Sequence, residues 1–199
     1  MLGTPLPENL DSPSGEVTSV RHIDHVTYVA AAENERAFCE TWGKLGFSEH
    51  VRVHTERHPA AHIALVSGMS PEYPWATMTG LSVTSEEESA INEYVRRYGE
   101  GIQHVAYNID PRADMEEVYG QMKAGGWNFM TEVLTYQDGN GARLRQMFVA
   151  PTLPYGPFVE FIQRLEGDDG KAFDGFDIDN IDGLYDEYIS YSKHLDAKK

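Results

Sequence analysis

The sequence predicts an α+β fold in which two copies of a strand–helix–three-strand unit (βαβββ) close into a half-open barrel with a C-terminal helix. Three observations carry this expectation. His25-Val26-Thr27-Tyr28 and His104-Val105-Ala106-Tyr107 share the pattern His-Val-x-Tyr at an offset of 79 residues. Gly46-Phe47, after the first helical stretch, is matched by Gly126-Trp127 after the second, at an offset of 80. The order of periodicities after each histidine strand is also the same: alternation, a helical spacing, then three further alternating segments. Neither copy can bury both faces of a curved sheet alone, so two packed together are expected to enclose a cavity.

The elements follow in order. Residues 1–18 carry Pro5, Pro7 and Pro13 with no periodicity and read as a disordered arm. The first module spans 19–84. Its strand Val20–Ala30 alternates β-branched and aromatic with polar residues. A period of two puts His25, Thr27 and Val29 on one face and Asp24, Val26 and Tyr28 on the other. Ala37, Phe38, Trp42 and Leu45 have helical spacing within Glu33–Leu45, and Gly46 stops that helix. Strands are expected over Phe47–His54, His62–Met69 and Ala76–Thr84. A connecting helix fills 85–100, over Glu86–Tyr98, with Ser85 as its N-cap. The second module, 101–166, repeats the pattern: strand Ile102–Ile109, helix Ala113–Ala124 ended by Gly125-Gly126, then strands Phe129–Tyr136, Ala142–Val149 and Phe158–Leu165. Asp138-Gly139-Asn140-Gly141 is a hairpin turn signal. The tail, 167–199, holds a helix over Ile181–Tyr191 whose apolar residues Ile181, Leu184, Tyr185, Tyr188 and Ile189 suit a lid over the cavity.

Composition narrows the function. A formal net charge of −16 over 199 residues argues against nucleic acid and anionic membrane as partners, since both require a basic surface. Much of that charge lies in Glu86–Glu88, Asp114–Glu117 and Glu166–Glu187, which read as solvated acidic faces. The single cysteine, Cys39, forms no internal disulfide and falls in a helical apolar pattern, so it reads as a structural thiol. No basic start followed by an apolar run marks a signal peptide, and no apolar stretch reaches spanning length. The expected location is cytoplasmic.

His25 and His104 occupy equivalent places in the repeat, and Glu160 stands in the middle of an apolar strand. A buried carboxylate there needs a partner, and a metal supplies one. The other reading of Glu160 has it facing solvent, with Val159 and Phe161 forming the buried face. Two imidazoles and one carboxylate hold Fe(II) while leaving about three coordination positions open for a bidentate substrate and dioxygen. His25, His104 and Glu160 are therefore the candidate metal ligands and catalytic group. His22 falls opposite His25 by parity. His50, His54, His58 and His62 lack the spacing of a helical zinc motif and read as surface or loop residues, and His194 lies in the tail.

From about Arg21 to Lys193 the sequence resembles the vicinal oxygen chelate superfamily, and within it the catalytic half of the 4-hydroxyphenylpyruvate dioxygenases and hydroxymandelate synthases. The stretches Gly101-Ile102-Gln103-His104-Val105-Ala106, Gln146-Met147-Phe148-Val149-Ala150-Pro151 and Phe158-Val159-Glu160-Phe161-Ile162-Gln163-Arg164 carry the likeness, together with Gly175-Phe176-Asp177-Ile178-Asp179-Asn180-Ile181. The resemblance implies Fe(II) held by His25, His104 and Glu160, and a pocket lined by Gln103, Gln146, Phe148, Phe158, Phe176 and Asn180. Ile181 stands where the family usually has a phenylalanine that stacks on the substrate ring. The implied reaction is oxidative decarboxylation of a 2-oxo acid coupled to hydroxylation of the same substrate, with dioxygen as the second partner and a homodimer as the assembly. Family members also carry an additional N-terminal half.

Three alternatives share or approach this scaffold. Extradiol dioxygenases need a further histidine in the second module, and none stands between His104 and His194. Epimerase and glyoxalase-like members take a fourth ligand from the last strand of the first module, where Ala76–Val83 offers no histidine, carboxylate or glutamine. A metal-free small-molecule-binding protein would have no reason to keep all three ligands.

Overall fold

The computed structural model describes residues 19–55, 57–67, 78–173 and 178–198, with side chains from 181 onward in the last segment. The predicted Phe176 contact and the side chain of Asn180 lie outside the described residues, as do the expected arm over 1–18 and residues 68–77.

The elements are β1 (Val20–Ala30), a 3-10 turn (Ala32–Asn34), α1 (Glu35–Gly43), β2 (Phe47–His54), β3 (Ala61–Ser67), β4 (Met78–Val83), α2 (Ala90–Tyr98), β5 (Gly101–Ile109), α3 (Met115–Ala124), β6 (Leu134–Gln137), β7 (Arg143–Phe148), β8 (Phe158–Leu165) and α4 (Ile178–Asp196). The strands form one eight-stranded sheet in the order β2-β3-β4-β1-β5-β8-β7-β6. Each module contributes one half, and β1 and β5 pair antiparallel at the seam. Both modules return their last strand parallel to their first, β4 on β1 and β8 on β5. The sheet is thus symmetric about the seam, as the repeat requires.

Side chains of β2 and of β7 line the same cavity. In that strand order a flat sheet would hold them about 29 Å apart at normal interstrand spacing. The sheet therefore curls, and the cavity is its concave face. α4 closes the open side: Leu184, Tyr185 and Tyr188 are buried against Phe148, Phe158 and the α2 residues Ile91 and Tyr94. The other two helices pack on the convex face. Met115, Val118 and Met122 of α3 are buried against Ile109, Met147 and Phe161. α1 presents Phe38, Cys39 and Trp42, partly buried, to Ala30, Ile63, Leu65 and Leu81. Cys39 is thus a packing thiol, and burial raises its pKa.

Several boundaries differ from the expected ones, each for a local reason. The connecting helix begins at Ala90 rather than Glu86. Its cap is Ser89, whose Oγ accepts the Asn92 N–H at 3.1 Å, not Ser85. Ser85 instead sits in a turn clamped by the Asn92 amide, which bonds both its N–H and its C=O. α3 begins at Met115 because the Asp114 carboxylate caps it, accepting from Glu116 N. The predicted strand Phe129–Tyr136 pairs as a ladder only at Leu134–Gln137. Phe129 makes an isolated bridge to Val149 and turns its ring onto Tyr119 of α3. The closing helix extends beyond Ile181–Tyr191 at both ends. Among the described residues no helix is long and apolar enough to cross a membrane.

Candidate metal centre

The two histidine strands carry the same irregularity. In the β1–β5 ladder, Ile23 pairs with Tyr107 and His25 with Ala106, so Asp24 is an extra residue on β1. Further along, Thr27 pairs with His104 and Tyr28 with Ile102, so Gln103 is an extra residue on β5. Each of these two bulges falls one residue before a histidine, while a third irregularity lies between Val20 and Ile23. A bulge re-aims the side chain it releases. Here both released side chains meet the Nδ1 of the following imidazole: Asp24 Oδ1 at 2.9 Å from His25 Nδ1 and Gln103 Oε1 at 3.2 Å from His104 Nδ1. An oxygen at Nδ1 holds the proton there and turns Nε2 toward the cavity.

Those Nε2 atoms converge. Glu160 Oε2 lies 3.4 Å from His25 Nε2 and 3.5 Å from His104 Nε2. One ligand atom from each of the three residues falls within 4.8 Å of the others. All three side chains are buried, and Glu160 is 1% exposed, so the solvent-facing reading of this strand position is excluded. Glu160 is placed by parallel pairing of β8 with β5, opposite Ala106, two residues beyond His104. Gln146 of β7 donates its amide to Glu160 Oε1 at 2.6 Å, fixing the carboxylate with Oε2 toward the imidazoles.

The charges are arranged asymmetrically. Burial acts to raise the Asp24 pKa, but the Arg164 guanidinium and the bond to His25 together outweigh it and hold the carboxyl far below its usual range. Arg164 Nε and Nη2 reach the two oxygens of Asp24, each at 3.0 Å. Burial opposes a charge on His25, yet the Glu160 carboxylate and the Asp24 bond raise its pKa to about 9. Burial also dominates at His104 and drives it down to about 3, aided by the charge on His25. Glu160 is buried too, but the two imidazoles keep its pKa below normal. The centre thus balances an ionised carboxylate with a proton on His25, and a cation bound there would take that proton's place, because a ligating imidazole is neutral.

The module symmetry shows what is missing. Glu160 pairs with Ala106, two residues past His104, and the matching residue two past His25 is Thr27, which pairs with Gly80. Gly80 therefore stands where Glu160 stands, with no side chain to offer. A Cβ placed there would come within 2.4 Å of Thr27 Oγ1. The fourth ligand position is not merely vacant of a donor but filled by a threonine.

Of the remaining expected pocket residues, Gln146, Phe148 and Ile181 line the cavity. Phe158 is buried behind it, its ring stacked on His104 at a centroid distance of 4.8 Å and 20°. Gln103 is buried between His104 and α4, where its Oε1 also accepts from the Tyr185 hydroxyl at 3.2 Å. The reading of His58 and His62 as surface or loop residues fails for His62, which is a buried strand residue that lines the cavity, while His58 lies in the β2–β3 loop but is buried. His62 bonds Ser82 through Nδ1 at 2.9 Å and stacks on Tyr185. The signal was present in Ala61-His62-Ile63-Ala64-Leu65, an apolar strand interior that hides a polar residue only on a buried face.

No family model and no curated protein sequence matches the chain. Solved structures do. A triple mutant of 4-hydroxymandelate synthase from Streptomyces coelicolor superposes with a TM-score of 0.70 at 18% identity, over 86% of this chain and 54% of that one. A fusion of a xylose isomerase-like TIM barrel with 4-hydroxyphenylpyruvate dioxygenase gives 0.62 at 18%, over 86% of this chain and 29% of that one. Methylmalonyl-CoA epimerase from S. coelicolor gives 0.53 at 20%, over 73% of this chain and 98% of that one. The chain thus has the vicinal-oxygen-chelate fold. It spans about half the length of the synthase it matches.

Proposed function

We propose that the chain is an Fe(II)-dependent dioxygenase that acts on a 2-oxo acid, decarboxylating it oxidatively and hydroxylating the same substrate. The observation that carries this reading is the open three-ligand centre: His25 Nε2, His104 Nε2 and Glu160 Oε2 converge, and the symmetry-related fourth position is Gly80. The donor set fits iron. Two neutral imidazole nitrogens and one carboxylate, each with its other polar atom already bonded, are the set that leaves room for substrate and dioxygen together. Bound there, Fe(II) would supply the binding of the 2-oxo acid and the activation of dioxygen.

The chain's own residues do the rest. Asp24 and Gln103 hold the imidazole tautomers, and Gln146 holds the carboxylate rotamer. Placing all three ligands on hydrogen-bonded strands preorganises them. Phe148, Ile181 and Leu184 make the cavity wall apolar, which excludes water from the reacting groups. Tyr185 ties the closing helix to Gln103, so the lid and the metal centre are joined by one hydrogen bond.

The epimerase likeness supports a second reading, a metal-assisted proton transfer at the same site. Gly80 stands against it, because the last strand of the first module then contributes no ligand. Anaerobic loading with Fe(II), followed by oxygen uptake over a panel of 2-oxo acids, tests the proposal. One equivalent of iron and substrate-dependent oxygen consumption are expected. Stoichiometric iron with no uptake from any 2-oxo acid would rule out the dioxygenase.

A further inference from the structure

A second polar group borders the cavity, two strands over from His25, and the metal centre makes no direct use of it. It consists of His62 on β3, Ser82 opposite it on β4, and Tyr185 on α4. These three join Gln103 and His104 in an unbroken run of hydrogen bonds. The distances are 3.2 Å from His104 Nδ1 to Gln103 Oε1, 3.2 Å from Gln103 Oε1 to Tyr185 OH, 3.3 Å from Tyr185 OH to Ser82 Oγ, and 2.9 Å from Ser82 Oγ to His62 Nδ1.

The direction of this run is fixed from one end. With His104 Nε2 turned to a metal, Nδ1 carries the proton and donates to Gln103 Oε1. Tyr185 donates its only proton to the same oxygen, so toward Ser82 the phenol oxygen can only accept. Ser82 must then spend its own proton on Tyr185, which leaves its Oγ to accept from His62. His62 is thereby held as the Nδ1–H tautomer, and its Nε2 presents a lone pair. That nitrogen is buried and has no hydrogen-bond partner among the described residues, on a side chain 9% exposed that lines the cavity. Burial, with His58 and His54 nearby, also pushes the His62 pKa down to about 4, so the ring is neutral. A buried polar atom of this kind ordinarily has a partner.

The geometry points to a substrate that carries a neutral hydrogen-bond donor, a hydroxyl or an N–H, seated on His62 Nε2. A group with acceptors only, such as an ether or a carboxylate, would set lone pair against lone pair. This specificity rests on the cavity being the substrate cavity of the proposed metal centre, with His62 as its selecting residue. It names the part of the substrate remote from the metal-binding end by chemistry.

The experiment uses two probes that need no metal contact, phenol and anisole, which differ in the one proton at issue. Zn(II)-loaded protein labelled with 15N-histidine is diamagnetic, and its imidazole nitrogens are read directly by NMR. The His62 signals, assigned by their loss in His62→Phe, are expected to show the neutral Nδ1–H tautomer. Phenol is expected to shift the Nε2 signal and to bind about tenfold more tightly than anisole, as one hydrogen bond to a buried acceptor provides. In His62→Phe the two probes are expected to bind within about twofold of each other. An Nε2–H or doubly protonated His62, or anisole binding as tightly as phenol to the wild-type protein, overturns the inference. The wild-type comparison of phenol with anisole stands even if His62→Phe fails to fold, and the milder His62→Gln then supplies the assignment. Zinc stoichiometry keeps the two claims apart. Protein that takes no zinc but still prefers phenol on an Nδ1–H His62 supports the donor subsite and sinks the metal centre. Protein that takes one zinc and shows no preference sinks the subsite alone.

Discussion

The two modules hold their histidines by one device and with opposite chemistry. In both, a β-bulge releases the preceding residue onto the imidazole Nδ1. In the first module that residue is Asp24, an anion sealed by Arg164. In the second it is Gln103, a neutral amide shared with Tyr185 of α4. The same divergence runs through the cavity wall. Gly80 matches Glu160, and His62 matches Gln146, since each stands opposite the residue two beyond that pair on the neighbouring strand. One module supplies the carboxylate and its clamp; the other supplies a glycine and a free imidazole nitrogen. Duplication preserved where the backbone points side chains, and substitution at matched positions gave the halves different donors, which in the proposed function divides the labour between metal and substrate.

That comparison can be broken or sharpened, starting with the largest effect. His104→Ala or Glu160→Ala should leave no stoichiometric Fe(II) or Zn(II) by metal analysis, with the far-ultraviolet circular dichroism unchanged. Gly80→Ala, in the matching position, should leave metal stoichiometry intact. Asp24→Ala should weaken metal binding by about 10- to 100-fold, the usual range for a residue that orients a ligand. It should also cost about 3 kcal/mol in urea unfolding, the low end for a buried pair, because Arg164 loses the carboxylate that pairs its part-buried guanidinium. Gln103→Ala, losing a neutral acceptor, should weaken metal binding by no more than about tenfold. If Gln103→Ala proves as damaging as Asp24→Ala, the charge contrast between the modules has no energetic meaning.

A pH comparison isolates His62. Its folded pKa of about 4 lies below the ordinary value of 6.5, so the unfolded chain takes up the proton first as pH falls. Stability is therefore full above about pH 6.5 and declines toward pH 4, by roughly 3 kcal/mol at most. The denaturant midpoint of the wild-type protein should fall across that window more steeply than that of His62→Phe; parallel profiles would mean that the ring is not held neutral by burial. The smallest effect concerns Gly80→Ala itself, which should cost about 1–3 kcal/mol because its new methyl group meets the stiff Thr27 side chain. Adding Thr27→Ala should return much of that loss.

Much of this architecture was legible in the sequence because the repeat is written in period and position. His-Val-x-Tyr marks β1 and β5, and the bounds of β2 and β8 fall where alternation begins and ends. The convergence of His25, His104 and Glu160 depends on matching strands and on parity, both of which a sequence displays. The bulges are another matter. An extra residue in a ladder changes nothing in the local pattern, so the inward turn of Asp24 and Gln103 shows only once the register is known. His62 escapes for a different reason: beside His50, His54 and His58 it reads as one of a loose group, although its own neighbours Ile63 and Leu65 are core residues. Ser89 displaced Ser85 as the cap of α2 through the side chain of Asn92, a contact three residues downstream that propensity does not weigh.

The seam between the halves has a consequence for any ion held there. Because Thr27 pairs directly with His104, the two imidazoles hang from adjacent strands of one continuous ladder. Their bite is inherited from the repeat distance of the backbone itself, which neither ligand can stretch. A cation of larger radius would have to seat itself by recruiting more solvent or substrate oxygens, since the protein grip does not widen.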